Sequence, residues 1–167
     1  MYKWFNKNAK NHARDESVPE GPEDMPGHYY FDQRLKDAPI DPMGYWPLKS
    51  LDIPTIIAAR KSNFASFSAA IDTIEAVTPL FASLPPDAVP LCYPILVEDR
   101  DRVADRLTDL GVPATRWWSG THSGLDLSGF QDAQRLKDQM ICLPLHQNLD
   151  HSDIGVIADA LRSALRH

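Results

Sequence analysis

The chain has 167 residues, 43% hydrophobic and 24% charged, and its 17 basic against 23 acidic side chains leave a net charge of −6. That balance, with no stripe of Lys and Arg, gives no electrostatic footprint for a nucleic-acid backbone and no polybasic membrane anchor. The longest apolar stretch, Val89 to Val97, is about half of the ~20 residues a membrane span needs, so neither nucleic acid nor membrane is an expected partner.

Met1 to Lys7 carries positive charge with no apolar core behind it, which reads as no secretory signal and gives a cytoplasmic address as the expectation. Six of the 14 prolines fall between Pro19 and Pro47, among glutamates, aspartates and glycines and without an apolar period. Residues 1–42 therefore read as a linker or poorly ordered arm, because such a stretch buries too little apolar surface to offset its ordering entropy. Order is expected to begin near Leu51, in a domain spanning 43–167.

Asp52 is a plausible N-cap with Pro54 in the first turn, and Ile53, Ile57, Phe64, Phe67, Ile71 and Ile74 recur at helical spacing, while Arg60, Lys61 and Asp72 fall mostly off the stripe. This predicts a helix over 52–75. Pro79 and Pro85-Pro86 then break the pattern, leaving Val77 to Phe81 as a short extended piece or a loop. Leu91 to Val97 reads as a buried strand, with Pro94 suggesting an edge or a bulge. Asp99 is expected to cap a helix with Val103, Leu107 and Leu110 on one face, stopped by Gly111 and Pro113.

Ala114 to Trp118 reads as a second strand. Ser128 and Gln131 have the form of a capping box before a third helix carrying Phe130, Ala133, Leu136 and Met140. Ile141 to Leu145 makes a third strand. Asp150 and Asp153 open a last helix whose Ile154, Ile157, Leu161 and Leu165 line one face. The expected fold is α+β: a long N-terminal helix followed by three strand-helix units, a small sheet covered by helices on one face.

The usual catalytic signatures are missing. Gly120-Thr121-His122-Ser123-Gly124 puts His where a nucleophile elbow needs Ser, and no Gly-rich phosphate loop occurs. Cys142 and His146 are four apart but have no second ligand pair, so no metal is expected, and Cys92 and Cys142 read as structural thiols without a disulfide framework. The run Glu98 to Arg102 reads as solvated pairs and dipole compensation at a helix start. The dense segment Thr115 to His122 remains, with Arg116, Trp117, Trp118 and His122. An Arg beside aromatic rings at a strand end can recognise an anion while the rings exclude water; equally, one Trp can be core and the other an edge cover on which Arg116 stacks. His146 reads as a loop imidazole satisfied by backbone.

Taken in order, Leu51-Asp52, Ala59 to Phe64, Tyr93 to Val97, Gly111 to Trp118 and Ile141 to Leu149 resemble the C-terminal portion of the DegT/StrS family of sugar aminotransferases, pyridoxal-phosphate enzymes of fold type I. The resemblance runs from about Met43 to Arg166; its most specific piece is Leu143-Pro144-Leu145-His146-Gln147 before a capped terminal helix. It implies a small domain that closes over a nucleotide-linked sugar, beside a large domain that holds the cofactor and the Schiff-base lysine. By position it places Arg116, Trp118 and His122 on the sugar-nucleotide side of the cleft and gives His146 a loop-structuring part.

None of the seven lysines follows Ser as the family's catalytic lysine does, so no catalytic residue is assigned to this chain. The expectation is a chain that binds no cofactor alone, is inactive alone, and works beside a large pyridoxal-phosphate domain or a second subunit, a homodimer included. The alternative is a non-enzymatic interaction module that keeps the fold and uses the exposed face of helix 52–75.

Overall fold

The computed structural model describes residues 36–117 and 126–166. Among them, five helices and four strands follow the order α1 (Pro42–Ser50), α2 (Ile53–Ile71), β1 (Val77–Pro79), β2 (Cys92–Val97), α3 (Arg100–Asp109), β3 (Thr115–Arg116), α4 (Gln131–Gln139), β4 (Met140–Pro144) and α5 (His151–Leu165). The strands form one antiparallel sheet in the order β1-β2-β4-β3. The architecture is α+β, as the residue pattern implies.

Alternation in the two central strands decides where the core lies. Tyr93 faces Leu143 and Ile95 faces Ile141 across the β2–β4 ladder, and all four are buried in one cluster with Phe64, Phe67 and Ile71 of α2, Val103 and Leu107 of α3, and Ile154, Ile157 and Leu161 of α5. Tyr93 anchors this layer: its ring stacks on Phe67 at 5.2 Å between centroids and tilts against Phe64 at 4.9 Å. Its hydroxyl donates to Ser68 Oγ at 3.3 Å, so the one polar atom of a buried ring has a partner. Burial pushes the phenol's pKa up. The alternate residues Leu96, Met140 and Cys142 face the other way and are also buried. α4 meets β2 and β4 but contributes no buried residue.

Helix ends follow the local chemistry of the sequence in three of five cases. Asp52 accepts from Thr55 N ahead of Pro54, and Asp150 and Asp153 form a reciprocal capping box at the start of α5. α1 spans residues just past the arm, before Leu51, to which the sequence pattern assigns no element: Asp41 accepts from Met43 N and Pro42 takes the first turn, the same Asp-then-Pro opening that starts α2. Two caps differ from expectation. Asp99 stands at the N-cap of α3 but in the left-handed region, φ 51°, and its carboxylate takes Arg102 Nε at 2.7 Å instead of a backbone N–H. At α4 the cap position is Phe130, without a side-chain hydrogen bond; the Ser128 amide instead donates to Asp126 in a turn before the helix.

Pro94 occupies an interior strand, which corrects the edge or bulge reading. β1 is short, pairing only with Ile95 to Val97, and Leu80 N donates to the Pro94 carbonyl. In an antiparallel strand a residue's N and C=O point to the same side, so the missing proline N–H falls just past the end of β1. Leu110 departs from the apolar face of its helix and is 52% exposed, because Gly111 at φ 83° turns the chain away there. Leu143→Ala is expected to cost about 2–5 kcal/mol through the cavity it opens, and Leu110→Ala to stay within about 0.5 kcal/mol, both read from urea unfolding midpoints.

Candidate functional site

β3 delivers Arg116 to α3 rather than to open solvent. Its Nε donates to Asp101 Oδ1 at 3.0 Å, and its Nη2 to Asp105 Oδ1 at 2.6 Å and to the Asp101 carbonyl at 2.9 Å. Arg116 pairs opposite Ile141 in the sheet, which turns its side chain toward the helix-covered face. Trp117 beside it is 37% exposed. Trp118 and His122 lie outside the described residues, so of the three expected cleft residues Arg116 alone has a described place. No stacking of Arg116 on a described ring accompanies its ion pairs.

The charge run at the start of α3 does more than solvate a helix end. Arg100 has a side chain only 11% exposed, pairs with Asp101 at 2.9 Å, and reaches the Lys137 carbonyl at the end of α4. Arg102 binds the Ala164 carbonyl of α5 at 3.1 Å. The Asp101 carboxyl is held below its ordinary range, chiefly by the Arg100 hydrogen bond and then by both guanidinium charges. A cavity of about 410 Å3 lies nearby at the end of the sheet, lined by Glu75, Glu98, Arg102 and Arg135 among others; neither Arg116 nor His146 belongs to it.

A second polar centre, which the helical stripe hides, joins α2 to the loop before α5. Arg60 donates Nη1 to the carbonyls of Pro90 at 3.0 Å, Leu91 at 3.2 Å and Leu145 at 3.1 Å, and Nε to Gln147 Oε1 at 3.1 Å. Asn63, one turn on and buried, donates Nδ2 to the carbonyls of His146 at 2.7 Å and Leu149 at 3.2 Å. These two side chains satisfy peptide carbonyls just outside the ends of β2 and β4. Their signal in the sequence is the i, i+3 pair inside Ala59 to Phe64. His146 itself is exposed, and its Nδ1 accepts from the Asn148 amide at 3.3 Å, within the same loop.

The contacts of Lys36, Lys49 and Lys61 do not fit those of a Schiff-base lysine. Lys61 lines a cavity of about 390 Å3, but its Nζ donates to the Pro86 carbonyl and no carboxylate lines that cavity to partner a pyridinium nitrogen. Lys36 pairs with Asp37, and Lys49 lies over the Tyr45 ring. Among the described residues, no group of three or more His, Cys, Asp or Glu side chains is placed to hold a metal ion.

Two outcomes follow from these contacts. Arg60→Ala and Asn63→Ala are each expected to cost about 1–3 kcal/mol, since each leaves partly buried carbonyls unpaired, and Arg60→Lys is not expected to rescue, because an ammonium lacks the guanidinium fork. For Asp101 the folded pKa is depressed, so its stabilising contribution is present above the unfolded pKa and is lost as pH falls through the folded value. Asp101→Asn should therefore be less stable than wild type near neutral pH, and the gap should close in strong acid, as measured by urea melts across pH.

No protein-family model and no curated protein matches the sequence. Solved structures do match. The aminotransferase TlmJ from Streptoalloteichus hindustanus aligns at 24% identity over 74% of this chain and 35% of its own, with a TM-score of 0.57. Helicobacter pylori PseC, an aminotransferase involved in the biosynthesis of pseudoaminic acid, aligns at 20% identity over 73% of this chain and 35% of its own, with a TM-score of 0.58. The putative sugar aminotransferase Spr1654 from Streptococcus pneumoniae, in its PLP form, aligns at 17% identity over 73% and 34%, with a TM-score of 0.62. This chain thus spans about a third of the length of the structures it matches. Over that third it has the fold of the DegT/DnrJ/EryC1/StrS-type sugar aminotransferases, consistent with a C-terminal portion.

Proposed function

We propose that the chain is the C-terminal, small-domain portion of a sugar aminotransferase of the DegT/StrS type, acting beside a large domain that supplies pyridoxal phosphate and the Schiff-base lysine. The observation that carries this reading is the fold match, which covers about three quarters of this chain and only a third of each neighbour. The contacts of Lys36, Lys49 and Lys61 support the same division of labour. In the complete enzyme the bound cofactor would move an amino group from an amino acid to a keto group of a nucleotide-linked sugar.

Within that assembly Arg116, Trp118 and His122 line the sugar-nucleotide side of the cleft. The ion pairs of Arg116 with Asp101 and Asp105 favour a positioning part for it: they hold the end of β3, from which the chain runs on to Trp118 and His122. His146 and the carbonyls bound by Asn63 shape the loop before α5.

A second reading, a non-enzymatic interaction module, draws on one specific observation. α1 buries no residue, and Met43 at 82% and Trp46 at 79% exposure stand with Leu48, Leu51 and Ile53 as unpartnered apolar surface. A large domain or a different partner protein would cover it equally well.

The first measurement is to mix the chain with pyridoxal phosphate, reduce with borohydride and map modified lysines by mass spectrometry. Weak, scattered labelling is expected; one stoichiometric adduct would place a cofactor site on this chain and end the proposal that the lysine lies elsewhere. Both readings also expect a hydrophobic dye to bind, with binding reduced in Trp46→Ser. A monomer that binds no dye contradicts both.

A further inference from the structure

Cys92 on β2 and Cys142 on β4 are both free, the first half-buried and the second buried. The ladder pairs Cys92 with Pro144 and Pro94 with Cys142, so the two thiols are diagonal neighbours on one face of adjacent antiparallel strands. That face is the one opposite Tyr93, Ile95 and Leu143, and nothing in the Arg60 clamp or the α3 ion pairs uses either sulfur. The two thiols lie close enough to shift each other's pKa, that of Cys92 down and that of Cys142 up.

We propose that Cys92 and Cys142 form a reversible two-thiol modification site, in which a small disulfide of the glutathione type oxidises the pair to a bridge between β2 and β4. Cys92, the more exposed sulfur, reacts first. Its thiolate attacks one sulfur of the reagent, the reagent's S–S bond breaks, and one glutathione leaves as a thiolate that takes a proton from water. Cys142 then gives its proton to solvent and attacks the Cys92 sulfur of the mixed disulfide, expelling the second glutathione. Two protein thiols lose two electrons in all, and one small disulfide gains them.

The division of roles agrees with the exposure of the two sulfurs and with the direction in which each shifts the other. The neighbouring Cys142 lowers the pKa of the Cys92 thiol, while Cys92 and burial raise that of Cys142. Diagonal cross-strand neighbours have Cα atoms about 7–8 Å apart, just beyond the roughly 4.4–6.8 Å of most disulfides, so the strands must draw together to close the bridge. A bridge closed under strain is readily reduced, which suits a reversible mark rather than a permanent staple.

The test incubates the full chain with oxidised glutathione, alkylates remaining thiols, and maps cysteines by mass spectrometry with and without dithiothreitol. Expected are the loss of both free thiols, a peptide pair joined through Cys92 and Cys142, and full recovery on reduction. Cys142→Ser should stop at glutathione on Cys92, and Cys92→Ser should leave Cys142 unmodified. Glutathione retained on both cysteines, both cysteines untouched, or a bridge between two chains would each overturn the proposal. If either serine variant loses its cooperative unfolding transition, the wild-type peptide map alone decides.

Discussion

The hold of α2 on the ends of β2 and β4 is the constraint on which the rest of the molecule depends. Arg60 and Asn63 gather carbonyls from Pro90, Leu91, Leu145, His146 and Leu149, residues far apart in the chain, onto one helical turn. Among the described residues, no carboxylate takes part in the contacts made by the guanidinium. Carbonyl dipoles and the Gln147 amide oxygen offset its charge, an arrangement that fixes direction because every acceptor must point inward. With the two strand ends held there, Tyr93 falls onto Phe67 and Phe64, and the apolar layer between helix and sheet closes behind it. Polar pinning at one end and aromatic packing in the middle thus place α2 by two independent kinds of force.

α3 plays the corresponding part on the same face, at the β3 edge of the sheet. Arg100, Arg102 and Arg106 reach carbonyls of Lys137, Ala164 and Arg166, tying α3 to the ends of α4 and α5, while Asp101 and Asp105 take Arg116 from β3. These pairs are exposed on their acidic side, so screening by solvent limits what each contributes to stability. Their worth is geometric: a two-residue strand such as β3 has little ladder of its own, and the guanidinium fork fixes where it ends.

Much of the fold was legible because burial and capping leave periodic traces. The stripe Phe64, Phe67 and Ile71, the Asp52 and Asp150 caps, and the apolar runs that became β2 and β4 all reflect local rules that tertiary packing did not override. What stayed hidden has physical reasons. Strand order depends on long-range pairing that no window of sequence contains, so the interior place of Pro94 could not be read from the residue alone. Arg60 sits off the apolar stripe and looks like a solvated charge, yet its length lets it reach past the stripe to the strand ends. α1 was obscured by the prolines around it, although Asp41-Pro42 carries the same opening signal as Asp52 with Pro54. At the candidate site the sequence singled out Arg116, Trp118 and His122; Arg116 has its partners on α3, and the other two fall outside the described residues.

The strand order has a consequence for how the protein comes to be made. β4, the last strand in the sequence, lies between β2 and β3 and supplies every hydrogen bond that joins them to one sheet. Until β4 arrives, β1 and β2 can form only a short two-stranded ribbon, and such ribbons are marginal in water. The four-stranded sheet therefore cannot close until Met140 to Pro144 have been made, after all the residues of α1 to α4. A chain cut short before Met140 would lose both β4 and α5 and leave β2 with only the short β1 to pair with.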